Sequence, residues 1–131
     1  TTMSMFCYQC QEAAGGTACT MRGVCGKDPD VAALQDLLIY TLKGISEIIV
    51  KGRIDVTTLG ESNCEVLNSL FMTITNANFD ADSIEKQIRK MLEVRDDLRK
   101  SVSVKNRMTR SALRRIHARK CLKKRKPPAY R

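Results

Sequence analysis

Four cysteines fall within nineteen residues near the start of the chain, in the segment CYQCQEAAGGTACTMRGVCGK (7–27), with the spacing Cys7-x2-Cys10-x8-Cys19-x5-Cys25. Thiolates are soft ligands, and the single histidine, His117, lies far from them. Three arrangements suit four thiols without an imidazole: an iron–sulfur cluster, a tetrahedral four-cysteine zinc site, or two disulfides. Structural zinc sites are commonly built from two short knuckles, and here only Cys7 and Cys10 have that spacing. Disulfides need an oxidising compartment, for which the sequence offers no support. Ligand softness and spacing favour the cluster.

The residues between the thiols suit the same chemistry. A thiolate-bound cluster carries negative charge, and its sulfurs are stabilised by backbone N–H groups at short range. Gly15, Gly16, Gly23 and Gly26 let the backbone come close and take positive φ. Phe6, Tyr8, Met21 and Val24 are expected to shield the site from water, and Arg22 and Lys27 to offset part of its charge. Taken singly, each also reads as an ordinary turn glycine, core packer or surface cation.

The elements that must hold this segment in place read as helices. Asp28 is an N-cap and Pro29 a first helical residue, so a helix is expected from about 29 to 52. Val31, Leu34, Leu38, Leu42, Ile45 and Ile49 recur at spacings of three and four, with Leu37, Ile39 and Ile48 widening the stripe. Gly44 is the expected point of close approach by another element. A second helix is expected over 58–75, packing through Val66, Leu67, Leu70, Phe71 and Ile74, with Cys64 as a small buried hydrophobe. A third starts near Asp82, with Ile84, Ile88, Met91 and Leu98 on its apolar face. No β alternation persists, so the expected fold is all-α: an antiparallel helical bundle with the cysteine loop against one end.

Charge divides the chain. Residues 1–100 hold 11 Lys/Arg against 14 Asp/Glu, whereas 101–131 hold 12 Lys/Arg and no acid. The expected organisation is a cluster-binding segment (1–27) forming one unit with a helical bundle (28–100), then a basic tail (101–131) that frays because like charges repel at helical spacing. Within that tail, His117 and Cys121 read as a solvated side chain and a free thiol. No stretch is apolar enough to span a membrane, and the start lacks the pattern of a secretory signal. The expected location is the cytoplasm.

The stretch MFCYQCQEAAGGTACTMRGVCGK, followed by LQDLLIYTLKGIS and later by LFMTITNANFD, closely resembles the amino-terminal part of the hybrid-cluster (prismane) proteins, a family of hydroxylamine reductases. The likeness covers residues 5 to about 99. It makes Thr1–Ser4 an extension and leaves the tail without a family counterpart, as a shifted reading frame or truncated gene would. The resemblance implies that Cys7, Cys10, Cys19 and Cys25 ligate a cubane [4Fe-4S] cluster, the x2, x8, x5 spacing resembling the cubane class rather than relatives with a [2Fe-2S] centre. In the family this cluster relays electrons to an iron–sulfur–oxygen hybrid centre where hydroxylamine is reduced to ammonia and water. The hybrid centre is bound by later domains that this chain lacks, so it is not expected here, and neither is the complete reaction. No hybrid-centre role falls on Cys64, His117 or Cys121.

Two functions from different classes follow. One is an electron-transfer module that takes electrons from a donor protein or reductase. The other is a basic nucleic-acid-binding protein with a structural zinc site, in which residues 105–126 contact phosphates. The tail has no aromatics interleaved with its cations to stack on bases, and charge alone shows only a capacity to bind polyanions.

Overall fold

The computed structural model describes residues 4–74 and 76–116, the segment 104–116 as backbone only; His117 and Cys121 lie outside the described residues. The fold is all-α. Three helices follow the cysteine loop: α1 (Pro29–Gly52), α2 (Glu61–Met72) and α3 (Ala81–Ile116), with short 3-10 turns at Ala14–Gly16 and Val56–Thr58. Among the described residues the only β pairing is an isolated bridge between Cys7 and Cys19.

Helix α1 begins as its sequence dictates. Asp28 is extended and its Oδ1 accepts the Val31 N–H at 2.9 Å, while Pro29 occupies the first turn, where no N–H is needed. The helix ends where Arg53 turns left-handed, at φ 48°. The N–H groups of Arg53 and Ile54 then donate to the carbonyls of Val50 and Ile49, closing the last turn. Gly52 is the point of close approach, because a Cβ there would stand 2.5 Å from Val102 Cγ2. Gly44, where such an approach was expected, has only Arg95 Cδ at 4.0 Å.

The register of the helices is set by what faces what. Gln35 donates to the Asn78 carbonyl at 3.0 Å, Gly44 faces Arg95, and Gly52 faces Val102. Residue numbers rise together, so α1 and α3 run parallel, and α2 returns the chain between them in the opposite sense. The bundle is therefore up-down-up, with the parallel pair making the larger contact in place of the expected antiparallel one. Leu38, Ile45, Ile84 and Met91 are fully buried at the α1–α3 seam, with Val31, Leu42 and Ile88 around them. Burying each such side chain stabilises the fold by about 1.5–3 kcal/mol.

Helix α2 departs most from expectation. It is shorter than 58–75, because Asp55 caps a separate 3-10 turn through the Thr57 N–H and Gly60 takes φ 40° just before the helix. At the other end Thr73 Oγ1 donates to the Leu70 carbonyl and Asn76 turns left-handed. Of its expected packing positions only Val66, with Met72, joins the core; Leu67, Leu70, Phe71 and Ile74 are exposed, and so is Cys64. The inward side is polar. Ser69 is 0% exposed, and Gln87 Nε2 donates to its Oγ at 2.9 Å and to Glu65 Oε2 at 3.1 Å. Glu65 also pairs with Lys90 at 2.8 Å. Among the described residues no buried side-chain nitrogen or oxygen lacks a partner, so this seam carries no desolvation penalty from an unmade bond.

Helix α3 starts at Ala81, where Asp80 Oδ1 accepts the Asp82 N–H, and its backbone runs unbroken past residue 100 to Ile116. No described helix is long and apolar enough to cross a membrane.

The Lys90 ammonium, helped by Gln87, holds the Glu65 carboxyl below the usual carboxylate range. A depressed folded-state value stabilises the fold above the unfolded carboxylate value, near about 4.3, and that contribution is lost as pH falls through the folded value. Glu65→Gln is therefore expected to be less stable than the parent at pH 7, with the gap narrowing as pH falls below about 4, as measured by urea midpoints across pH.

Candidate functional site: the cysteine loop

The loop closes on itself through the first and third cysteines. Cys7 N–H donates to the Cys19 carbonyl at 3.0 Å and Cys19 N–H to the Cys7 carbonyl at 2.9 Å, while the Ser4 and Met5 N–H groups both reach the Thr20 carbonyl. Residues directly opposite in such a pair project to the same face, so Cys7 and Cys19 share one side of the ribbon. Phe6, Tyr8, Met21 and Val24 are all exposed, and Phe6 and Tyr8 line the cleft beside Cys7 and Lys27. Met5, Ala13, Cys19 and Ala32 make a small apolar core under the loop.

Cys19 is buried and Cys7, Cys10 and Cys25 half-buried; all four are free thiols. Backbone groups of Ala14 and Val24 hydrogen-bond to the Cys19 sulfur and hold its thiol below the ordinary cysteine value. Cys25 sits in a tight turn in which Gly23 N–H donates to the Lys27 carbonyl at 2.7 Å and Gly26 N–H to the Gly23 carbonyl at 2.9 Å. A Cβ on Gly23 would lie 3.0 Å from Lys27 Cβ and 3.1 Å from Cys25 Sγ. Gly26 has φ 93°, a conformation that favours glycine.

Among the described residues Lys27 is the one basic residue drawn inside, at 2% exposure. Its Nζ stands 3.8 Å from Cys7 Sγ, 3.2 Å from Gln9 Oε1 and 5.9 Å from the centre of the Phe79 ring. The ion pairs among the described residues give it no carboxylate. Arg22, the other expected cation, stays at the surface and donates to the Gly26 carbonyl. A cleft of about 250 Å³, lined in part by Cys7, Gln9, Lys27, Gln35 and Asp36, opens on this group.

Sequence reasoning passed over Gln9, which links Lys27 to the Thr73 carbonyl at the end of α2. Its only signal was its place between Cys7 and Cys10. The structure brings the four thiols onto one loop, but among the described residues no three His, Cys, Asp or Glu side chains stand ready to hold a single metal ion. The donor set nevertheless fits a thiolate-ligated group: four free thiols, backbone donors at one sulfur, and a buried ammonium at another.

A family model described as the Prismane/CO dehydrogenase family matches residues 5–128. The chain belongs to this family. Among its curated relatives, the hydroxylamine reductase of Acetivibrio thermocellus is 72% identical over 100 residues, which is 76% of this chain and 18% of that protein. The hydroxylamine reductase of Clostridium tetani is 57% identical over 104 residues, and that of Clostridium botulinum strain Kyoto 49% over 100, each again covering 18% of the relative. This prismane-family chain thus spans less than a fifth of the length of the relatives it matches. The family match also takes in residues 101–128, where the sequence alone showed no likeness.

Gly23→Ala forces Cys25 and Lys27 apart by crowding both. It is expected to destabilise the chain by about 1–3 kcal/mol, read as a lower unfolding midpoint.

Proposed function

We propose that Cys7, Cys10, Cys19 and Cys25 hold a [4Fe-4S] cluster and that the chain is an electron-transfer module, the counterpart of the amino-terminal part of a hydroxylamine reductase. The observation that carries this is Lys27. A buried ammonium is costly unless it faces an anion, and its nearest group able to become one is the Cys7 sulfur. Thiolate ligands would supply the missing counter-charge.

When bound, the cluster supplies reversible one-electron exchange. The chain's own residues do the rest. Ala14 and Val24 direct backbone groups at the Cys19 sulfur, which stabilises negative charge there. Lys27 balances charge at Cys7, and Gln9 holds the Lys27 ammonium in place while bonding the end of α2. The cleft beside Cys7 leaves this side open to an approaching donor protein or reductase.

Curated relatives are named hydroxylamine reductases. In this reading residues 1–27 and 28–100 form one working unit that relays electrons for such an enzyme, without its reducing site. The basic segment 101–131, with twelve cations and no acid, is able to attract polyanions. Free thiols of this kind persist in a reducing compartment, which points to the cytoplasm.

Anaerobic purification is expected to yield a brown protein with about four irons and four sulfides per chain and an EPR signal after dithionite reduction. Cys7→Ala combined with Cys25→Ala should abolish the colour. A colourless protein carrying one zinc would overturn the assignment and favour the structural-zinc alternative.

Lys27→Gln removes a positive charge beside one ligand while keeping hydrogen-bonding capacity. The reduction potential of the variant is expected to move negative in a dye-mediated redox titration, because added electron density is less well balanced.

A further inference from the structure

Helix α2 faces inward with its polar side and outward with its apolar one. Leu67, Leu70 and Phe71 recur at i, i+3 and i+4, which places them on one stripe about 6 Å long, and Ile74, just past the end of the helix, is exposed as well. Leu67 and Phe71 are each 66% exposed. The opposite side is already committed to Ser69, Glu65, Gln87 and Lys90, whose bonds are complete, so rotating the helix to bury the stripe would strand these groups. Contiguous apolar surface of this kind marks a place where another surface sits.

We propose that this stripe is the docking surface for the polypeptide that, in the curated relatives, lies outside the matched 18%. Two observations choose this occupant. More than four-fifths of each relative lies beyond the match, at up to 72% identity within it, so the matched region evolved beside a large body of chain. The stripe carries no charge, which disfavours a nucleic acid or an acidic partner and suits an apolar protein face. Gln9 and Thr73 join the end of α2 to the cysteine loop, so a body seated on α2 is also anchored to the element that holds the thiols. The inference rests on family membership and is independent of metal content.

The test uses a chimaera in which this chain replaces the matched stretch of the Acetivibrio thermocellus protein, beside the full 131-residue chain alone. Leu67→Glu together with Phe71→Glu is expected to leave the unfolding midpoint and helical circular dichroism of the isolated chain unchanged. In the chimaera the same pair should lower the midpoint by about 4 °C or more. Co-expression of the chain with the tagged remainder of the relative gives a second readout: co-purification that the pair weakens more than about tenfold. An unchanged chimaera would overturn the proposal. So would an isolated chain that is dimeric by light scattering and made monomeric by the pair, since the occupant would then be a second copy. A brown chimaera unaffected by the pair would sink this inference alone, and a colourless one destabilised by it would sink only the cluster.

Discussion

Burying Lys27 to 2% exposure without an ion pair to a carboxylate is the constraint around which this molecule is arranged. Lys27 is the residue just before the Asp28 cap, so its backbone is fixed by the start of α1, and its side chain is fixed by groups from two other parts of the chain. Cys7 and Gln9 come from the cysteine loop and Phe79 from the link between α2 and α3. A charge buried this way is tolerated only when surrounded by acceptors and polarisable groups. The same contacts therefore tie the loop to the bundle and give the sulfur side of the loop a fixed positive charge.

The bundle supplies the platform for that arrangement through its parallel α1–α3 seam. Two parallel helices need a return segment, and α2 serves as that return more than as a core element. Its polar lattice costs little because every member is satisfied, and such lattices specify geometry more sharply than apolar contact does. Gln35 reaching Asn78, and Gln9 reaching Thr73, extend this lattice to both ends of the link before α3. Thr73 and Asn78 thereby join the link before α3 to the cysteine loop and to α1.

Much of this was legible in the residues themselves. Asp28 and Pro29 located the start of α1, and the 3–4 spacing of Leu38, Leu42 and Ile45, and of Ile84, Ile88 and Met91, located the seam, because local capping and periodicity are properties of the segment alone. The cysteine spacing and its neighbours led to the family. What failed was orientation. Periodicity identified the stripe on α2 but not the direction it faces, which depends on a hydrogen-bond set spanning Glu65, Ser69, Gln87 and Lys90. Cys64 was misplaced for the same reason. Parallel pairing of α1 and α3 was equally hidden, since nothing within either helix encodes its partner's direction. Phe6 and Tyr8, read as a shield for the thiols, line the cleft beside Cys7 while staying exposed.

The length of α3 separates two parts of the molecule that the formal charge lumps together. Its start lies beside the cysteine loop and Val102 lies opposite the far end of α1, which is about 36 Å long at 1.5 Å per residue. From there to Ile116 the helical backbone extends about a further 21 Å. Mobile ions damp a field over about 8 Å at physiological strength. The helical backbone that carries the cations from Lys105 to Arg115 thus lies several screening lengths from the thiols, whereas Arg22 and Lys27 belong to the loop itself.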